Sequence, residues 1–384
     1  MTDTASGVGR FGPAPFFDGF PVKKSDFLLI NRIKVAIIAT TNETEVILLP
    51  GIKYLSRVVR GMSFGKMNNL LNVVKQKSGH GKLRTACDMA ICGFKYGAGY
   101  YDYTAFGFYN MNSKQRDTYV TRVRNKKICE IMNKPGFGDL FDDKLQFNVK
   151  FEKFLHRRVM DASKATVADI EDFLRDQTYI FAKPNRGIGG HGIEKLAVAD
   201  FPSPEAFLDY VKSKNLLVLE QELIQHPDMA RPHPQSVNTM RIVTDRVGDT
   251  VHLAYITLKF GRGDSFCDNS GQNGVMVRVD PETGKIVSDA TDDYYNIFEK
   301  HPDTGIVFKG YQLPMVHEAV ALAKEAAMVV PEIGHVGWDV AVTPDGPALI
   351  EGNDYPGSDM GQLAPHYPEK HGLWPFYKSI LNLK

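Results

Sequence analysis

The chain has 384 residues, 43% of them hydrophobic and 24% charged, which is the composition of a globular protein long enough for two or three lobes. A formal net charge of +1 supplies no whole-chain field for a nucleic acid or an anionic membrane, so neither is an expected partner, although a local basic cleft suited to phosphate stays open. No segment approaches the roughly 18 consecutive apolar residues of a membrane helix, and the four cysteines, Cys87, Cys92, Cys129 and Cys267, form no Cys-x-x-Cys pair and no zinc-site spacing.

Residues 1–22 are rich in Gly, Pro and Ser and read as a flexible arm without the basic start and apolar run of a signal peptide. The expected location is the cytoplasm, with free buried thiols. Residues 23–135 read as a mostly helical domain, because VILLPGIKYLSRVVRGM and MNNLLNVVKQK repeat apolar residues at three- and four-residue steps. Tyr96, Tyr100, Tyr101, Tyr103 and Tyr109 read as helix packing rather than a pocket. KPGFGDLFDD at Lys134–Asp143 reads as a linker, and a second domain is expected over 136–384. In it KLQFNVKFEKFL and TVADIEDFLRD predict helices, the second capped by Thr166 with Asp169 three residues on. TYIFAKP, LLVLEQELI, TMRIVT, VHLAYITLKF, GVMVRVD, GWDVAVT and PALIEGN predict strands, and MVHEAVALAKEAAMVV an amphipathic helix among them. The expected class is α+β with a mainly antiparallel sheet.

FAKPNRGIGGHGIEKL places Gly187, Gly189, Gly190 and Gly192 in a loop between two strand patterns. It is no dinucleotide fingerprint, because a strand follows the glycines instead of a helix. It is no Walker loop, because its lysine, Lys183, precedes them. Strand, lysine, glycine loop and strand describe a hairpin lid whose backbone N–H groups can approach phosphate oxygens, with Lys183 and Arg186 adding charge. A surface hairpin without a ligand is the other reading of this stretch taken alone.

GWDVAVTPDGPALIEGN carries more. The turn at Pro344–Pro347 sets Asp339 and Glu351 equally far from Asp345, as cross-strand partners on one face, and Asn353 lies two residues further along that face. Two carboxylates and a carboxamide are hard oxygen ligands suited to Mg²⁺ held against nucleotide phosphates. Neither strand contains a Lys or Arg to neutralise them.

With these residues in place, the chain from about Asp139 onward resembles the ATP-grasp superfamily. ARPHPQSVNTMRIVT, HPDTG and GWDVAV, in that order, resemble its sugar-transfer-associated branch. The resemblance implies an ATP-grasp fold, two α+β subdomains clamping ATP, with a lid subdomain at about 180–225 and a metal-binding subdomain at about 226–384. It implies Lys144 and Lys183 as nucleotide-contacting lysines, Gln221, Glu222, Leu223 and Ile224 as the adenine hinge, and Asp339, Glu351 and Asn353 as magnesium ligands. Arg241 corresponds to an arginine facing the reacting phosphate or substrate, Lys259 and Arg262 to basic residues near the acyl phosphate, and Asp268 with Asn269 to an Asp-Asn pair near the active site. GQNG at Gly271–Gly274 departs from the Gly-Gly pair of the glutamate ligases, and no residue but Asp228 offers itself for the ribose. The implied activity is an ATP- and Mg²⁺-dependent carboxylate–amine ligase that forms an acyl phosphate and releases ADP and phosphate. Its expected partners are small-molecule carboxylate and amine substrates, an amino acid or sugar acid among them, and a homodimer is compatible with it. The alternative is a kinase on the same scaffold, passing the phosphoryl group to a hydroxyl or phosphate acceptor.

Overall fold

The computed structural model describes residues 63–187 and 191–383. The chain divides into two compact units, Met1–Val73 and Val74–Lys384. The described residues of the first are 63–73, nearly all in helix α1 (Phe64–Ser78), where MNNLLNVVKQK falls. The expected arm over 1–22 and the stretch VILLPGIKYLSRVVRGM lie outside the described residues.

The second unit opens with helices α2 (Lys82–Tyr96), α3 (Tyr100–Ala105) and α4 (Arg122–Met132). Tyr96 and Tyr103 are buried among Phe106, Phe108 and Tyr119, and the Tyr103 hydroxyl donates to Asp88. Tyr101, in contrast, is exposed beside Tyr100. The segment expected to be a plain linker contains a helical turn, Asp139–Asp142. Its Phe141 enters the core against Trp338, which a free linker could not do. Helix α5 (Lys144–Lys150) follows at once, because the Asp143 side chain accepts from the Gln146 N–H and caps it.

The chain then builds a small four-stranded antiparallel sheet from β1 (Val159–Asp161), β2 (Tyr179–Lys183), β3 (Glu194–Ala197) and β4 (Val218–Gln221), in the order β1-β4-β2-β3. Helices α6 (Val167–Leu174) and α7 (Pro204–Ser213) cover it with Ile170, Phe173, Phe207, Leu208 and Val211. Thr166 caps α6 through the Asp169 N–H, and Asp169 returns a bond to the Thr166 N–H. LLVLEQELI leaves the sheet after Gln221.

A larger antiparallel sheet follows, with β5 (Met240–Val247), β6 (Thr250–Phe260), β7 (Val275–Arg278), β8 (Ala290–Thr291), β9 (Ile297–Phe298), β10 (His335–Thr343) and β11 (Gly346–Asn353). Its order is β11-β10-β5-β6-β7-β8-β9. Helix α8 (Val316–Ala326) lays Val316, Ala319, Leu322, Ala323 and Ala326 on one face, against Ile242, Ile256, Leu258, Trp338, Val340 and Leu349. Alternation along the strands sends Arg241, Thr257, Lys259 and Asp339 to the other face. Helix α9 (Trp374–Ile380) ends the described chain. Among the described residues no helix is long and apolar enough to cross a membrane.

Candidate active site

Lys144, Lys183, Gly187, Gln221, Leu223, Lys259, Asn269, Asp339 and Glu351 line one cleft, together with His191, Arg157, Glu220 and Asp268. Gly189 and Gly190 lie outside the described residues.

The acidic floor of this cleft is a matter of register. Thr343 pairs with Gly346 around the turn, and the ladder runs evenly to Val340 opposite Leu349. Continued unchanged, it would set Ile350 opposite Asp339 and turn Glu351 to the apolar face. A bulge between Asp339 and Val340 takes up one extra residue of β11, and Glu351 stands opposite Asp339. Counting outward from Asp345 reaches the same pair by way of a wider turn than the chain makes.

Within their own hairpin the two acids are uncompensated, but the neighbouring strands supply the counter-charge. From β5, Arg241 donates to Asp339 through Nε at 2.6 Å and Nη2 at 2.8 Å. From β6, Lys259 Nζ donates to Asp339 Oδ2 at 3.1 Å. Burial alone would raise the Asp339 pKa; Arg241 and Lys259 outweigh it and hold the carboxyl well below the usual range. Glu351 opens on the cleft, and its side chain has no hydrogen bond or ion pair with a described residue. Desolvation in the cleft floor, and then Asp339, push its pKa up.

Opposite these acids the lysines are held from behind. Lys183, at the end of β2, donates to Glu220 Oε2 at 2.7 Å, and Arg157 meets the same oxygen at 3.0 Å. Burial pushes Glu220 up, but Arg157 and Lys183 prevail and bring its pKa to about 2. Lys144 Nζ donates to the Gly187 carbonyl at 2.8 Å, while its own N–H and that of Leu145 bond to Asn185. The start of α5 is thereby tied to the start of the glycine loop. Burial lowers the Lys144 pKa, partly offset by Glu351. Gly192 has φ +74, a conformation that favours glycine.

Arg186, Glu222, Ile224, Arg241, Arg262 and Asn353 do not line the cleft. Arg186 is exposed and pairs with Asp139 at 3.4 Å and Asp143 at 3.6 Å. Of the hinge, Glu222 is bound to Lys195 at 2.7 Å and the Ile224 side chain is exposed. Arg241 stands beneath Asp339 rather than on the wall. Arg262 turns aside to Asn273, Asp292 and the ring of Phe298, so its charge is spent on its own loop and on the β8–β9 edge of the sheet. Asn353 uses Oδ1 to accept from the Tyr355 N–H at 2.9 Å. Asp268 accepts from both the N–H and the hydroxyl of Thr239, and Asn269 closes a turn with Gly271. Cys267 lines the wall, with its pKa pushed up to about 11 by burial.

Arg157 and Glu220 escape a reading of the sequence by motif. The signal for Glu220 is present: it is an acid inside the apolar run LLVLEQ, and a buried acid needs a partner. For Arg157, one of two adjacent arginines at a helix end, there is none.

Among the described residues no group of three or more His, Cys, Asp and Glu side chains gathers to hold a metal. One compensated and one unpaired carboxylate fit an ion that brings most of its ligands from phosphate and water, as Mg²⁺ does, and not a caged structural ion.

No curated protein matches the chain. Solved structures that the chain matches include a D-alanyl-alanine synthetase A from Vibrio cholerae, 12% identical over 66% of this chain and 74% of that one, TM-score 0.37. An L-amino acid ligase from Bacillus licheniformis is 13% identical over 58% of this chain and 43% of its own, TM-score 0.34. A carboxyaminoimidazole ribonucleotide synthase from Aspergillus clavatus, complexed with ATP, is 13% identical over 64% of this chain and 53% of its own, TM-score 0.37. Likenesses of this order say nothing about a substrate. The family described as sugar-transfer associated ATP-grasp matches residues 205–376, from α7 through the acidic hairpin to α9. Over those residues the chain is similar to the sugar-transfer associated branch of the ATP-grasp superfamily, in agreement with the motifs of its sequence.

Proposed function

We propose that the chain is an ATP-dependent carboxylate–amine ligase that releases ADP and phosphate. What carries this reading is the cleft, where Lys144, Lys183 and Lys259 face the carboxylates of Asp339 and Glu351, the second unpaired among the described residues. Lys144 and Lys183 bind the nucleotide phosphates, and the Gly187 amide lies on the same cleft to meet them. The backbone of Gln221–Ile224 meets the adenine, and Leu223 gives that end its apolar wall. Asp339 and Glu351 would hold Mg²⁺, which when bound would neutralise charge on the transferring phosphoryl group; Asn353, on the same face, is engaged with the Tyr355 N–H instead.

The residues divide the work by charge. Lys183, kept extended by Glu220, fixes the phosphates for in-line attack by a substrate carboxylate. That carboxylate gains the γ-phosphoryl group and ADP leaves. An amine then adds to the acyl carbon, the amide forms, and phosphate departs. Lys259, with Arg241 behind it, stabilises the negative oxygen that develops in both steps. Arg262 belongs to the support of this loop rather than to the chemistry. A lid over 180–225 closing on a metal-binding part over 226–384 goes with this scheme, as does a location in the ATP-rich cytoplasm.

The test is a panel of amino acids and sugar acids incubated with ATP, Mg²⁺ and hydroxylamine. The expected outcome is carboxylate-dependent release of ADP and free phosphate, with a hydroxamate of the same acid. A stable phosphorylated product without free phosphate would make the enzyme a kinase instead.

A further inference from the structure

The loop of His156, Arg157 and Arg158 joins the two sheets. β11 is the edge strand of the larger sheet and β1–β4 the outer pair of the smaller. His156 Nδ1 lies 2.8 Å from the Pro347 carbonyl of β11. Arg157 Nη1 donates to the Leu349 carbonyl at 2.6 Å and Nη2 to the Ile350 carbonyl at 3.4 Å. Arg158 and Gln221 exchange bonds on the β4 side. The Arg157 side chain is only 1% exposed, and its Nε donates to Glu220 at 3.1 Å.

The two carbonyls that Arg157 holds, at Leu349 and Ile350, belong to the bulged part of β11. Without the bulge Glu351 faces away from Asp339. The carboxylate on the other side of the same guanidinium, Glu220, holds Lys183. We propose that Arg157 is a positioning residue: it fixes the bulge that sets Glu351 opposite Asp339, and through Glu220 it sets Lys183 across the cleft from them. The planar guanidinium has donors for two carbonyls and a carboxylate at once. A lysine in its place keeps the charge for Glu220 but cannot reach the two carbonyls in the same geometry. The inference rests on the reading of Asp339 and Glu351 as metal ligands only for its functional consequence.

Arg157→Lys and Glu220→Gln separate the two arms. Amide hydrogen exchange, read without ligand, reports the bulge directly. Arg157→Lys is expected to lose protection over Leu349–Gly352, and Glu220→Gln to keep it. Mn²⁺ binding, followed by electron paramagnetic resonance with ADP present, reports the consequence. Arg157→Lys is expected to bind Mn²⁺ roughly 10–100-fold more weakly, as loss of an outer partner of a metal ligand does. At saturating ADP, Glu220→Gln is expected to bind Mn²⁺ near wild type, while its affinity for ADP falls because Lys183 has lost its anchor. Unchanged exchange at Leu349–Gly352 in Arg157→Lys overturns the proposal, as does equal loss in both variants. Should Arg157→Lys not fold, Arg157→Gln is read in the same way. A wild-type protein that binds no Mn²⁺ with ADP fails the metal reading, while the exchange data still decide on the clasp.

Discussion

Asp339 and Glu351 face each other on one rung of a hairpin, yet neutralising them should affect the fold in different ways. Asp339 is the buried counter-ion of both Arg241 and Lys259. Asp339→Asn leaves those two cations without it and should cost roughly 3–5 kcal/mol, the usual result of breaking a buried pair. Glu351 forms no ion pair or hydrogen bond with a described residue, and acts on Lys144 and its other neighbours only through space. Glu351→Gln should therefore change stability by about 0.5 kcal/mol or less, as substitutions away from buried networks do. Both should lose turnover. Denaturant unfolding alongside an ADP-release assay checks this, and an Asp339→Asn protein as stable as wild type would mean that another group carries the counter-charge. The acids themselves were legible in the sequence. The role of Arg241 and Lys259 as their counter-ions was not, because those residues stand 98 and 80 positions from Asp339 and meet it only through strand order.

At the scale of the element, β11 shows what patterning can and cannot reveal. Alternation and the Pro-Asp-Gly-Pro turn mark the hairpin, and the apolar faces of β5, β6 and β10 follow from the two-residue period. A bulge leaves no such mark, since Leu349-Ile350 reads as two ordinary strand residues. Gly352 is equally silent in the sequence. A Cβ there would lie 2.9 Å from Phe141 Cε1 and 3.0 Å from Phe147 Cε2. Both rings are locked in the core against Trp338 and Phe151, so neither can withdraw cheaply. Gly352→Ala should cost about 1–3 kcal/mol through overpacking. Denaturant unfolding should show a lower midpoint with an unchanged slope. A midpoint like that of wild type would show that the Phe141 turn can shift, and that the segment is closer to the linker its composition suggests.

Across the whole molecule, the family-like words of the sequence prove to be a mixture of chemistry and scaffold. GWDVAV brings an acid to the cleft. ARPHPQ and HPDTG bring two buried histidines together instead, His233 and His301, with ring centroids 5.6 Å apart. Their Nε2 atoms lie 2.9 Å from the carbonyls of Gly263 and Gly261, so they support the loop that leads to Asp268 and Asn269. A word can thus point to a site without supplying a reacting group, and only the pairing of distant segments tells the two apart. The indole of Trp338 adds an optical consequence. It is buried directly behind Asp339, with Nε1 bonded to Thr244 at 2.8 Å, and the sequence holds one other tryptophan, Trp374, beneath Arg124. Trp374→Phe leaves a single fluorophore built into the strand that carries the carboxylate. Its emission should be that of a shielded indole, and titration with ATP and Mg²⁺ should change its intensity as the ion pairs of Asp339 are redistributed. A flat titration at saturating ligand would mean that β10 takes up its load without moving, and binding would then have to be followed by a dye placed elsewhere on the chain.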